Sequence, residues 1–388
     1  MFQSRCHACR VSSPLIWCAL IGLAIAATAT PQGTTTDWPL VRGDAQARGV
    51  AHGTLREPLE VLWKFSAKEG GFEGSAVIVA GVVYVGSLDG NLYAIDLASG
   101  KKKWAYKTEL GFSASPAVAG GLVYVGDADG KFYCVDAKGD LKWTFDAEAE
   151  IDSSANFHKG RVLFGSQDAN LYCLDGRSGH LVWKYAIGDQ IRCSPTVVGD
   201  RAFVAGCDSK LHVVDLTTGK AIGTVPIGAP TGSTPAVDGD YAYFGTEGAT
   251  FFCIDYQQAK VVWTYKAKRN MPLRSSAAIA ENLVIFGGRD KRVMALAKSD
   301  GMEQWSFATR ARVDGSPVVV GDRVFIGSAD GRLYGFDLKG NKVWEYEAGS
   351  QFTASPAVAD DRLVIGNTDG TLFCFGRSKA AAKGPGTN

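Results

Sequence analysis

The chain has 388 residues, 46% of them hydrophobic, and its 41 Lys and Arg against 40 Asp and Glu leave a formal net charge of +1. A balance this close gives no electrostatic basis for holding nucleic acid or an anionic membrane surface, so neither is an expected partner. The length would suit two domains, but the sequence repeats itself, and repeats add units to one body rather than making new domains.

Residues 1–29 carry Arg5 and Arg10, an apolar run from Leu15 to Ala27, and the small residues Ala27-Thr28-Ala29. This order reads as a cleaved export signal, and the run is short for a membrane span. Lipidation at Cys18 is the rival reading, but a lipobox wants a small residue where Trp17 stands. Removing the segment leaves a net charge near −1. The expected location is periplasmic or otherwise exported, with no transmembrane span in the mature chain, which is expected to be a monomer.

Residues 30–60 form a lead-in containing Asp37-Trp38-Pro39-Leu40-Val41-Arg42-Gly43, and Val61-Leu62-Trp63-Lys64-Phe65 follows as an isolated strand. Then one pattern recurs eight times. Its first copy reads Val83-Tyr84-Val85-Gly86-Ser87-Leu88-Asp89-Gly90-Asn91-Leu92-Tyr93-Ala94-Ile95-Asp96, then Ser99-Gly100 and Trp104. The leading glycine returns as Gly126, Gly165, Gly206, Gly245, Gly287, Gly327 and Gly366. Alternating Val, Ile, Tyr and Phe broken by Gly, Asp and Ser predict four short antiparallel strands per copy. The Asp-Gly pairs at 89–90, 129–130, 330–331 and 369–370 mark hairpins. Asp96, Asp175 and Asp215, each four residues before a glycine, read as turn formers.

First strands carry small residues, as in Ser113-Ala114-Ser115-Pro116-Ala117, whereas fourth strands carry Trp104, Trp143, Trp183, Trp263, Trp305 and Trp344. Radial blades crowd at the axis and splay at the rim, so the expected fold is an all-β, eight-bladed propeller of four-stranded blades over residues 61–376. The eighth copy runs into residues 377–388, a flexible tail, without a fourth strand. The spare strand around Trp63 is predicted to supply it and close the ring. Copy four has Gly223 at the tryptophan position, which predicts a thinner seam beside that blade.

Of nine cysteines, Cys6, Cys9 and Cys18 fall in the signal, and Cys134, Cys173, Cys253 and Cys374 share one repeat position held elsewhere by Ala94 and Gly335. They are expected to be free, packed thiols. Cys193 and Cys207 share no such slot, and the five histidines have no short metal-ligand spacing.

The unit Tyr-Val-Gly-Ser-x-Asp-Gly-x-Leu-Tyr-x-x-Asp, followed by Ser/Thr-Gly and Trp, resembles the PQQ-like repeat, the blade of quinoprotein dehydrogenases and of the BamB family of outer-membrane barrel-assembly propellers. The resemblance covers residues 61 to 376 and is specific to the fold rather than to a reaction. Residues 37–43 are similar to a Trp-x-x-x-Arg-Gly lead-in found before such repeats in exported bacterial proteins. An enzyme of this family holds PQQ and calcium, with carboxylate and amide ligands, a base aspartate and a vicinal cysteine pair. This sequence has no adjacent cysteines and little room for long inserted loops. The expectation is therefore no catalytic, cofactor or metal residues, and a scaffold that binds an envelope protein. A PQQ-dependent oxidoreductase and an exported sugar or peptide binder are the alternatives.

The starts of the first strands give one register: Glu73, Ser113, Ser153, Arg192, Gly232, Arg274, Asp314 and Thr353. Within it, Leu273-Arg274 resembles the Leu-Arg segment with which BamB proteins dock the barrel-assembly pore subunit, and Ile191-Arg192 is a second match. The resemblance implies that Leu273, Arg274, Ile191 and Arg192 form a partner-docking patch.

Overall fold

The computed structural model describes Met1, residues 36–67 and residues 69–378. The expected signal segment and the tail from 379 lie outside the described residues. Eight blades of four antiparallel strands each make up the body, and a short lead-in strand adds a fifth to one of them. The first blade comprises Val77–Val79, Val82–Gly86, Asn91–Asp96 and Lys102–Lys107, and the pattern repeats to the eighth, Ala357–Ala359, Arg362–Gly366 and Thr371–Gly376. First strands of successive blades adjoin one another, and that of blade 1 meets that of blade 8, so the ring is closed. Among the described residues no helix is long and apolar enough to cross a membrane.

Closure occurs as expected. Glu60–Ser66 pairs antiparallel with Thr371–Gly376, placing Trp63 opposite Cys374. Three other blades make the same pairing, with Trp143 opposite Cys134, Trp183 opposite Cys173 and Trp263 opposite Cys253, while Trp104, Trp305 and Trp344 face Ala94, Ala295 and Gly335. A small thiol fits beneath an indole, and all four cysteines are free and buried. Burial pushes the Cys134 thiol up to about 12, as expected of packed sulfur.

Six tryptophans join their blade to the next by one bond, and Trp344 meets blade 8 through Phe375 instead. Trp63 Nε1 donates to Leu97 O at 2.8 Å, and Trp104, Trp143, Trp183, Trp263 and Trp305 repeat the bond to the equivalent carbonyl. The ring covers the glycine closing the next blade's aspartate turn, so closely that a Cβ on Gly100 would lie 2.7 Å from Trp63. The turn itself is built as the spacing predicts: Asp96 Oδ1 accepts from Ser99 N at 2.9 Å and Ser99 Oγ at 2.6 Å. These bonds hold the Asp96 carboxyl below the usual range.

The seam after blade 4 is the exception, and it is filled from the other side. Gly223 pairs with Val213 in the tryptophan position, and the turn it faces in blade 5 ends in Ala259 rather than glycine. Tyr256 enters the wedge, edge-on to Phe203 at 4.6 Å, with its hydroxyl donating to Gly239 O at 3.0 Å.

The glycine at the end of the second strand has a packing cause. A Cβ on Gly86, Gly126, Gly165, Gly245, Gly287, Gly327 or Gly366 would lie 2.2–2.6 Å from the apolar residue preceding the next blade, from Phe112 to Phe72 around the ring. In blade 4 the spacing misled by one residue: the second strand Arg201–Ala205 ends in Ala205, not Gly206. There the residue preceding the next blade is Thr231, smaller than its counterparts, and its hydroxyl donates to Gly245 O at 2.7 Å.

At the axis a ring of hydroxyls links all eight blades. Ser75 N donates to Ser115 Oγ, Ser115 N to Ser154 Oγ, Ser154 N to Ser194 Oγ and Ser194 N to Thr234 Oγ1. Thr234 N donates to Ser276 Oγ, Ser276 N to Ser316 Oγ, Ser316 N to Ser355 Oγ and Ser355 N back to Ser75 Oγ, all eight bonds at 2.8–3.1 Å. Small first-strand residues thus serve as inter-blade acceptors as well as spacers.

Below that ring the lead-in winds around the inside of the disc. The carbonyls of Trp38, Pro39, Ala45, Gln46, Arg48 and Gly49 accept from Ile78, Val118, Val197, Val237, Ile279 and Val319, the middle residues of first strands, at 2.8–2.9 Å. Val50–Ala51 then pairs parallel with the first strand of blade 7. Trp38 packs over Gly43, and Arg42, 2% exposed, donates to Ala277 O and Pro317 O. Burial lowers the Arg42 guanidinium to about 10, so it remains charged at neutral pH.

Candidate functional site

The mouth of the disc is set by a three-residue step before each hydroxyl of the axial ring. The first residue is an apolar anchor: Phe72, Phe112, Ile151, Ile191, Leu273, Val313 or Phe352, all buried. Its N–H donates across the seam, as in Phe112 to Ser87 O at 3.1 Å and Leu273 to Thr246 O at 3.1 Å. The second residue is then held at the mouth on a fixed backbone.

This geometry corrects two expectations. Leu273 is 1% exposed and Ile191 is fully buried, so neither is an apolar anchor presented to solvent; each packs against the previous blade's glycine, Gly245 or Gly165. The register also shifts in blade 3. Ser154 is the ring hydroxyl, so the mouth residue is Asp152, while Ser153 turns inward and accepts from Gly165 N at 3.0 Å. The mouth therefore reads Glu73, Ser113, Asp152, Arg192, Gly232, Arg274, Asp314 and Thr353 around the axis.

Arg192 and Arg274 come from blades 4 and 6 and flank Gly232 of blade 5. A cavity of about 530 Å³ opens there, lined by Asp152, Asp189, Arg192, Gly232, Glu247 and Arg274, among others. Arg274 is paired with Glu247, Nε to Oε1 at 2.7 Å and Nη2 to Oε2 at 3.2 Å, a bidentate arrangement that fixes the guanidinium plane. Arg192 donates through Nε to Gln190 Oε1 at 3.1 Å, and among the described residues its terminal nitrogens have no protein partner. On the next quadrant Asp314 takes Arg289 at 2.8 and 2.9 Å and Arg312 at 2.9 Å.

Asp152 is the group that the repeat spacing missed. Its Oδ2 accepts from Gln167 Nε2 at 3.3 Å, while Oδ1 is buried with no protein partner. Burial, reinforced by the neighbouring Glu150 carboxylate, pushes its carboxyl up to about 7, and Arg192 pulls against the shift. Two of the histidines have structural partners: His158 meets Asp200 at 2.7 Å and His212 meets Asp208 at 2.9 Å. Among the described residues no group of three or more His, Cys, Asp or Glu side chains gathers as a metal site.

Solved structures share this fold. BamB from Moraxella catarrhalis superposes with a TM-score of 0.72 at 18% identity, covering 82% of this chain and 100% of that one. Quinohemoprotein alcohol dehydrogenase from Comamonas testosteroni gives 0.78 at 16% identity, covering 91% and 82%. A europium-containing methanol dehydrogenase gives 0.74 at 13% identity, covering 88% and 98%. At these identities the likeness is one of fold: a PQQ-like propeller resembling BamB. Comparison with the curated proteins returned no match. The sequence matches the family model described as "Beta-alanine-activating enzyme, beta-propeller" over residues 113–384, from the mouth of blade 2 onward and more than two thirds of the chain. The chain belongs to that β-propeller family.

Proposed function

We propose that the protein is an exported, non-catalytic scaffold of the bacterial envelope, holding a protein partner against the mouth of its ring in the manner of a BamB-type subunit of outer-membrane protein assembly. The observation that carries this reading is the placement of Arg192 and Arg274 on either side of Gly232, each fixed by a buried neighbour beneath it. Rigid arginines on a preorganised backbone are frequent hot spots at protein interfaces. The lead-in supports the same reading, because it spends the chain's own residues on filling the inside of the ring and leaves the mouth as the functional face.

The test replaces the two arginines together. Arg192→Ala with Arg274→Ala is expected to weaken capture of the envelope partner by about two orders of magnitude, at roughly 1–2 kcal/mol per arginine. The melting temperature should barely move, since both side chains are exposed. Undiminished capture by the double variant overturns the docking role.

One observation favours a second reading, a PQQ-dependent oxidoreductase. Asp152, with a carboxyl that titrates near neutrality beside the cavity, has the property a general base needs. The optical spectrum of the purified protein separates the two readings.

A further inference from the structure

The mouth cavity brings together basic and acidic groups that make no ion pair within the protein among the described residues. Arg274 and Glu247 satisfy each other, but Arg192 keeps its terminal nitrogens without a protein partner among the described residues. Asp152 and Asp189 line the same cavity, and neither takes part in an ion pair among the described residues. The backbone adds donors. In seven seams the N–H of the apolar anchor bonds a carbonyl of the preceding blade, yet the N–H of Thr231 has no protein partner among the described residues, and neither has that of Gly232.

Gly232 makes the space. It is the one mouth position without a side chain, and an added Cβ would touch only Arg192 Cβ, at 3.5 Å. The volume, about 530 Å³, is that of a small-ligand site.

We infer that this cavity binds a small zwitterion, a free amino acid or a short peptide, with its carboxylate toward Arg192 and the N–H groups of Thr231 and Gly232, and its ammonium toward Asp152 and Asp189. A charge-assisted bond at each pole orients such a ligand, whereas a plain carboxylate or a plain amine satisfies one pole and is repelled by the other. The inference does not rest on the docking reading, since it concerns the cavity between the arginines and needs no partner protein.

Calorimetric titration of the purified protein with free amino acids, di- and tripeptides, acetate and ethylamine is the test. Saturable binding by the amino acids or by the peptides, at least about tenfold tighter than acetate or ethylamine, is the expected result, and the tighter class identifies the source. Gly232→Leu, which fills the gap at an unstrained backbone position, and Asp152→Asn should each weaken it about tenfold or more. Zwitterion binding by the protein alone and capture of the partner are separate assays, so failure here is distinguishable from failure of the docking reading. No saturable binding by any zwitterion, acetate binding as tightly as the amino acids, or unchanged affinity in both variants overturns the inference.

Discussion

Asp152 connects the mouth to the stability of the whole ring. Its carboxyl titrates near 7 in the fold and near the ordinary value when unfolded, so between about pH 4 and 7 the folded chain binds the extra proton. Stability is therefore lost as pH rises through that window, at about 1.4 kcal/mol per unit while the separation lasts. Asp152→Asn should be close to neutral at pH 4 and stabilising at pH 8, read from urea unfolding midpoints; a variant destabilised equally at both would contradict this. Glycines divide by their surroundings in the same way. Gly126→Ala drives a methyl to within 2.2 Å of Ile151 Cγ2 and should cost about 1–3 kcal/mol, whereas Gly223→Ala meets open space and should cost nothing measurable. The sequence announced Gly126 through its period but not its cause, because the packing partner lies in the next copy. It missed Asp152 because Ser153 and Ser154 are adjacent, and composition does not say which hydroxyl turns toward the axis. Leu273 was misjudged for a related reason: beside an arginine, a leucine looks like an interface anchor, while its burial depends on Gly245, 28 residues away.

Among the elements, the closing strand and the tryptophan wedges were legible because both follow from counting copies. Trp63→Ala should cost about 3–5 kcal/mol, since it removes a buried indole that bridges blades 8 and 1. An unfolding midpoint unchanged after deletion of residues 60–66 would contradict closure by that strand. The seam after blade 4 was only half legible. Gly223 predicts a missing wedge, but the compensation by Tyr256 and Ala259 sits in the following copy and follows no spacing rule. Gly223→Trp alone should destabilise, because the new ring meets Ala259 and Tyr256, and adding Ala259→Gly should recover part of the loss. A simple sum of the two single effects in a double-mutant cycle would show that the positions are not coupled across the seam.

The whole molecule from residue 36 is a closed disc whose inside is threaded by its own lead-in. The eight blades could be counted from the sequence, but the path of residues 38–51 could not, because irregular chain leaves no period and its contacts reach seven different blades. Export and envelope location belong to the proposed function, motivated by residues 1–29, and intact-mass analysis of native protein should find a start near residue 30. Whether the mouth holds a protein or a redox cofactor is decided most directly by native mass spectrometry of the protein released from its own envelope, read with its absorbance spectrum. A docking scaffold should give an assembly with a protein partner, dissociated by Arg192→Ala with Arg274→Ala, and no chromophore beyond the aromatic residues. A stoichiometric quinone mass with the matching absorbance, on a chain carrying no partner protein, would contradict it.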